Sequence, residues 1–232
     1  DPRNDKLIED GEKWSTQSGS YHSKMSIGLI KLYQRTKNKE HESKLLESIV
    51  KLCDNSLSLQ KDDGRFVSYA KEQDTHLHPH AYSAEGLMFA GRSLNNRRYF
   101  DKAVNATRWL LDSQMENGGI PSMYVNGNFL EFERSDILAQ TLRLGTIMTS
   151  LGFLNDKRYM EKLMKLKERL LSFQVKSDDL KTNGGFLYGN DVLYRDNFQV
   201  NKKDHVNSWC TMFALQSLTM YQQLLDGKSV DI

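Results

Sequence analysis

Cysteine, proline and long apolar runs are all scarce in this chain, and each shortage excludes something. Two cysteines, Cys53 and Cys210, among 232 residues are too few for a disulfide framework. Both sit in apolar helical stretches, where free thiols pack as small hydrophobes. The three prolines, Pro2, Pro79 and Pro121, make no rigid spacer, and no Gly/Ser-rich stretch replaces one. Residues 1–232 are therefore read as a single domain. Apolar runs such as Gly86–Gly91 fall far short of the ~20 residues that a membrane-spanning helix needs. Charge of one sign is lacking too. The 32 basic and 30 acidic residues leave a net charge of +2, with no block that suits nucleic acid or an acidic membrane surface. The N-terminal Asp1–Lys6 is polar and has no apolar signal core, which favours a cytoplasmic setting. The one glycosylation sequon, Asn105-Ala106-Thr107, falls inside a predicted helix and carries little weight.

What is present is a repeat. Leu94–Tyr99 (LNNRRY) matches Leu154–Tyr159 (LNDKRY). Gln60, Gln114 and Gln174 each precede a glycine turn and an apolar residue: Gly64-Arg65-Phe66, Gly118-Gly119-Ile120 and Gly184-Gly185-Phe186. The two alignments agree on a period of 54 to 60 residues, and each period holds two helices. One set is expected at Tyr21–Gln34, His80–Leu94, Asp136–Leu151 and Val206–Leu225. The other is expected at Glu40–Leu59, Arg97–Met115 and Lys157–Val175. The second set is amphipathic: Lys157, Glu161, Lys165 and Glu168 oppose Tyr159, Leu163, Leu166 and Leu170. The first set is apolar nearly all round, so it should be enclosed. Short connectors make consecutive helices antiparallel. The expected fold is all-α: an (α/α) toroid-like arc of about three and a half helical hairpins, with inner and outer layers. Closure by a homo-oligomeric partner, or a place within a larger parent chain, is compatible with an arc of this length.

Polar residues on inner helices are informative, because buried polar groups must be satisfied or used. The second inner helix carries His78, Tyr82 and Glu85 on one stripe, and the third carries Asp136, Gln140 and Arg143 at the same spacing. The fourth carries His205 and Trp209, with Asp204 and Asn207 beside them; the first offers His22 and Lys24. Glu131 and Glu133 lie in the loop before the third. Paired carboxylates suit acid–base work at a glycosidic bond, and a His or Tyr beside a carboxylate suits proton abstraction near a uronate. The candidate catalytic groups are Glu85, Asp136, His80 and His205. Tyr82, Gln140, Arg143, Trp209, Glu133 and Tyr124 are candidates for binding substrate, with aromatic rings to stack on sugar faces and Arg143 to hold a carboxylate.

Structural readings stand beside these. Glu85 and Arg143 can be a buried ion pair with Gln140 and Tyr82 completing its hydrogen bonds. Ser135 and Asp136 can be a helix cap. His76, His78 and His80 carry imidazoles enough for a metal, but Pro79 is expected to break the local geometry; no metal or other cofactor is assigned. The Gln–Gly corners are read as helix C-terminal turns.

The corners Gln60-Lys-Asp-Asp-Gly64-Arg-Phe66 and Gln114-Met-Glu-Asn-Gly118-Gly119-Ile120 resemble those of the α/α-toroid superfamily. That superfamily includes six-hairpin glycosidases, polysaccharide lyases and sugar epimerases, as well as terpene cyclases and prenyltransferase β subunits. The inner helices around His80–Leu87 and Trp209–Leu218 look like the sugar-acting branch. No D-x-D-D acid motif supports an isoprenoid cyclase. The resemblance implies a carbohydrate-active enzyme (hydrolase, lyase or epimerase) acting on a glycan, uronate-containing or not. A non-catalytic glycan-binding module and, more distantly, isoprenoid chemistry remain the alternatives.

Overall fold

The computed structural model describes residues 18–69, 73–190, 192–195, 198–201 and 205–230; the polar N-terminal segment and Asp204, both weighed above, lie outside them. Among the described residues seven α-helices alternate between two layers. The inner ones are α1 (Ser26–Tyr33), α3 (Leu77–Ser93), α5 (Ser135–Ser150) and α7 (Ser208–Leu225). The outer ones are α2 (Lys39–Ser58), α4 (Arg97–Asp112) and α6 (Lys157–Leu171). This is the expected toroid-like arc.

The repeat is built from the same bonds each time. Asn38, Asn96 and Asp156 cap the three outer helices, each accepting from backbone N–H groups of the first turn. Gln60 Nε2 donates to Gly64 O and to Lys102 O on the next outer helix, both at 2.9 Å. Gln114 Nε2 makes the equivalent bonds to Gly118 O and Lys162 O at 2.9 Å. Gln174 Nε2 donates to Gly184 O; among the described residues no outer helix follows α7 to offer a second carbonyl. The corners are turns with the glycine in the left-handed region, as read from sequence.

Three local differences have physical causes. The first inner segment opens as a 3₁₀ turn, Ser20–Met25, before α1. Here the backbone presses on α3: a Cβ on Gly86 would lie 2.3 Å from the Ser23 carbonyl. Ser23 Oγ donates to Ser83 O and Ser26 Oγ to Gly86 O. Next, α3 starts at Leu77, earlier than expected. Pro79 lies in its first turn, where a missing N–H costs no intrahelical bond, so Pro79 leaves the His78–Tyr82–Glu85 stripe intact. Finally, short strands occupy the long connections. β1 (Thr75–His76), β2 (Met123–Val125) and β3 (Asn128–Leu130) form an antiparallel sheet in the order β1-β2-β3, with Thr75 opposite Tyr124. β4 (Val192–Arg195) pairs with β5 (Phe198–Asn201).

The core runs between the layers, from Ile30, Ile49 and Cys53 through Leu87, Leu110 and Ile147 to Leu166, Phe186 and Phe213. α3 and α5 are enclosed as expected of inner helices. α1 and α7 are not: Met25, Leu32, Trp209, Met212 and Leu215 are exposed, because each end helix has inner-layer neighbours on one side only. Among the described residues no helix is long and apolar enough to cross a membrane.

Candidate functional site

The N-terminal halves of α3 and α5 face each other and bring together two charged clusters. The first is centred on Glu85. Arg143 Nη1 donates to Oε1 at 2.5 Å and Lys24 Nζ to Oε2 at 2.7 Å. Burial pushes the Glu85 carboxyl up, but Arg143 and Lys24 more than offset it, and the group stays below the usual range. Lys24 also rests 3.8 Å from the centroid of the Tyr82 ring. The ion pair weighed from sequence is therefore present, with Lys24 as a third member. Tyr82 lies on the helix face between His78 and Glu85, and its phenol is pushed up, by burial first and then by Asp136 and Glu85.

The second cluster is centred on Asp136, in the first turn of α5. Arg134 holds it in a fork, Nε to Oδ1 at 3.1 Å and Nη2 to Oδ2 at 2.6 Å. His78 Nδ1 lies 3.1 Å from Oδ2. Burial raises the Asp136 carboxyl, but the His78 bond and the Arg134 charge bring it down to about 2. An ionised carboxylate only accepts, so His78 Nδ1 carries its proton to Asp136 and Nε2 is left as the basic nitrogen. Burial lowers His78 below the ordinary histidine value, against the pull of Asp136, so the ring is neutral near pH 7. Gln140 completes the arrangement, its amide 3.0 Å from Nδ1. The His78 and Tyr82 rings stand 4.3 Å apart, which joins the clusters.

Other candidates divide. Arg134 stacks over Tyr188, and Tyr188 lies against His205 just before α7. His205 is thus an exposed imidazole at the mouth formed by the starts of α5 and α7. Trp209 is about half exposed (51%) and packs edge-on against Phe213 at 5.0 Å. Tyr124 sits on β2 in an aromatic group with Trp109 and Phe129, and the Arg65 guanidinium lies over its ring.

Two candidates are corrected. His80 is fully buried: Nδ1 accepts from Phe66 N–H at 3.1 Å and Nε2 lies 2.9 Å from Ala106 O. With both nitrogens taken by backbone, it staples a corner to α4 and has none free for proton transfer. Glu133 is also fully buried, gripped by Arg169 of α6 and by Asn190. It fastens the loop before α5 to the outer layer, and only Glu131 of that pair is exposed. The His76–His78–His80 metal alternative fails on geometry. His76 packs against Tyr69, His78 turns to Asp136 and His80 to backbone. Among the described residues no three His, Cys, Asp or Glu side chains gather as a metal site.

Sequence reasoning understated His78, placing it only on the stripe and in the metal alternative, because its contact with Asp136 is made between two helices 58 residues apart in sequence. Arg134 carried a signal, an Arg two residues before an inner-helix Asp, but its fork needs an extended backbone that the tertiary bridge to Gly189 supplies.

No protein-family model and no curated protein matches the sequence. Solved structures do match. A D-mannose isomerase superposes with a TM-score of 0.68 at 11% identity, over 90% of this chain and 56% of that one. A family 76 glycoside hydrolase (mannosidase) from Bacteroides thetaiotaomicron gives 0.66 at 14%, over 92% and 57%. A cellobiose 2-epimerase from Bacillus thermoamylovorans gives 0.63 at 10%, over 84% and 51%. The chain shares the helical α/α arc of these structures and spans a little over half of their length.

Proposed function

We propose that the chain is the substrate-facing part of a carbohydrate-active enzyme that moves a proton at a sugar carbon, as in epimerisation or isomerisation. The observation that carries this reading is the state of the titratable groups between α3 and α5. Hydrolysis of a glycosidic bond needs a carboxylic acid kept protonated by a raised pKa. Both carboxyls here are held ionised, Glu85 by the charges of Arg143 and Lys24, Asp136 by the hydrogen bond from His78 and the charge of Arg134. Between the two clusters the neutral imidazole of His78 is the group placed to take a proton.

In this proposal His78 Nε2 takes the proton from the carbon next to the carbonyl of an open-chain aldose. The C–H electron pair moves into an enediolate, whose oxygen develops charge beside Lys24 and Arg143. Asp136 fixes the imidazole and stabilises its cation. A proton given by His205 to the opposite face of the same carbon, with His78 keeping the one it took, gives the epimer; return of the proton from His78 to the neighbouring carbon, as the C2 hydroxyl proton passes to the C1 oxygen, gives the isomer. Deuterium wash-in at C2, followed by NMR with D-mannose, D-glucose and cellobiose in D2O, tests it. Exchange that disappears in His78→Ala supports the reading; release of nitrophenol from aryl glycosides without any exchange refutes it.

A glycan-binding module without turnover is the second reading. The half-exposed Trp209 next to Tyr82 and the chain's span of about half of the matched enzymes favour it. Sugar binding unaffected by His78→Ala, with no exchange, would establish it instead.

A further inference from the structure

The outer corners repeat their bonds but not their charges, and one of them is left with a cation too many. Six residues before each of the first two corner glutamines an outer helix meets the start of the next one: through Asp54 before Gln60 and through Arg108 before Gln114. At the first corner the charges match. Asp54 Oδ1 accepts from the Tyr99 hydroxyl at 3.1 Å and lies 3.7 Å from Arg98 Nη1. Tyr99 and Arg98 recur as Tyr159 and Arg158 in α6, but the side chain that comes to them there is Arg108. Among the described residues Arg108 pairs with no acid; its Nη2 donates to the Phe153 carbonyl at 3.1 Å. Arg158 turns instead to Asp156, Nε to Oδ2 at 3.1 Å, and to the Tyr159 hydroxyl, Nη2 to Oη at 2.9 Å.

A cavity of about 450 Å³ opens between these groups, with Arg108, Arg158, Asp156, Tyr159 and Phe153 in its walls. Its charged walls are two guanidiniums and one carboxylate, so one positive charge is left over. Asp156 is already committed: Oδ1 accepts from the backbone N–H of Arg158 as the cap of α6, and Oδ2 faces Arg158 Nε. Asp112 does not make up the difference, because it stands 3.5 Å from Lys162 Nζ and takes the Tyr159 hydroxyl at 3.4 Å. The Tyr159 phenol is pushed up by burial first and then by Asp112, while Arg158 and Arg108 both pull it back, so the two guanidiniums bear on the same point. A guanidinium carries more N–H donors than either arginine spends here, and its planar fork takes carboxylate or phosphate oxygens two at a time.

We propose that this cavity is an oxyanion site, in which a phosphate or carboxylate group takes, between Arg108 and Arg158, the place that the Asp54 carboxylate fills at the first corner. It lies in the outer layer, apart from the clusters between α3 and α5, and is independent of the proton-transfer reading.

The test is thermal melting and phosphorus NMR titration of the intact chain with inorganic phosphate, at an ionic strength held constant with sodium chloride, and melting in sodium acetate as the second probe. Saturable binding is expected, with a melting temperature raised by about 3 °C at an anion concentration about tenfold above the dissociation constant. A response to acetate and not to phosphate would support the site as one for carboxylates. Arg108→Asp rebuilds the pairing of the first corner. It should weaken the anion by about tenfold or more, the worth of a hydrogen bond to a charged group, and melt no lower than the parent in chloride, its carboxylate now facing Arg158 and Tyr159. Arg108→Gln, neutral and at an exposed helix position, should weaken the anion as well and keeps the test open if Arg108→Asp does not fold. Arg35→Gln removes an exposed cation outside the cavity and should leave binding unchanged. Neither anion raising the melting temperature above matched chloride, folded Arg108 variants that bind like the parent, or an equal loss in Arg35→Gln would overturn the site.

Discussion

Asp136 and His78 share one hydrogen bond, and each sets the other's proton affinity. In Asp136→Asn the amide has no charge to hold the imidazolium and can impose the wrong tautomer. Turnover is expected to fall about 10²-fold or more. Because Asp136 raises the His78 pKa against burial, its removal should move the acid limb of the pH–rate profile to lower pH; a pH series on parent and variant decides this. His80 makes a contrasting prediction. Its pKa is lowered to about 4 by burial, so the folded state favours the neutral ring. That contribution is complete above the unfolded value near 6.5 and is lost as pH falls from there towards 4, on the order of 3 kcal/mol. Thermal melts between pH 7 and 4 should show this loss. His80→Leu should flatten it and, by stranding Phe66 N–H and Ala106 O, cost about 2–4 kcal/mol at pH 7.

At the scale of elements, stability is concentrated in the corners. Gly118 has φ +85°, and a Cβ there would meet the Lys165 carbonyl oxygen at 2.9 Å; Gly184 has φ +82° with nothing within 4 Å. Gly118→Ala is therefore expected to lose about 1–3 kcal/mol, from the left-handed backbone plus the clash, and Gly184→Ala only the backbone part. Equal melting temperatures for the two variants would contradict that division. Gln114→Ala should lose bonds to two carbonyls and loosen α4 from α6. These corners were legible because their signal is local: a Gln, a Gly and an apolar residue at fixed offsets, repeated. The inner and outer layers were legible for the same reason, through periodicity. The roles of His80 and Glu133 were not. Whether an imidazole meets Phe66 and Ala106 backbone or a cleft, and whether a loop carboxylate turns to Arg169 or to substrate, is fixed by residues 14 to 36 positions away. Asp136, Glu85, Gln140 and Arg143 were found as a group because helical spacing alone places them on facing stripes.

For the whole molecule the arc leaves two inner helices with one free side each. α7 has no charged residue over Ser208–Leu225, yet Trp209, Met212 and Leu215 face outward, as do Met25 and Leu32 at the other end. A helix without charge and rich in apolar residues is otherwise a sign of enclosure, so composition by itself misjudges these end helices, where the number of neighbours decides. The difference is measurable. A lysine at an enclosed apolar position would bury an unpaired charge and cost several kcal/mol. Met212→Lys and Leu215→Lys point into solvent and should change stability by no more than about 0.5 kcal/mol, while lowering the binding of a hydrophobic dye to the chain. Ala139→Lys and Leu142→Lys, on the enclosed α5, should unfold it. If the α7 variants melt as early as the α5 ones, that face is covered in solution and the chain does not stand alone as an open arc.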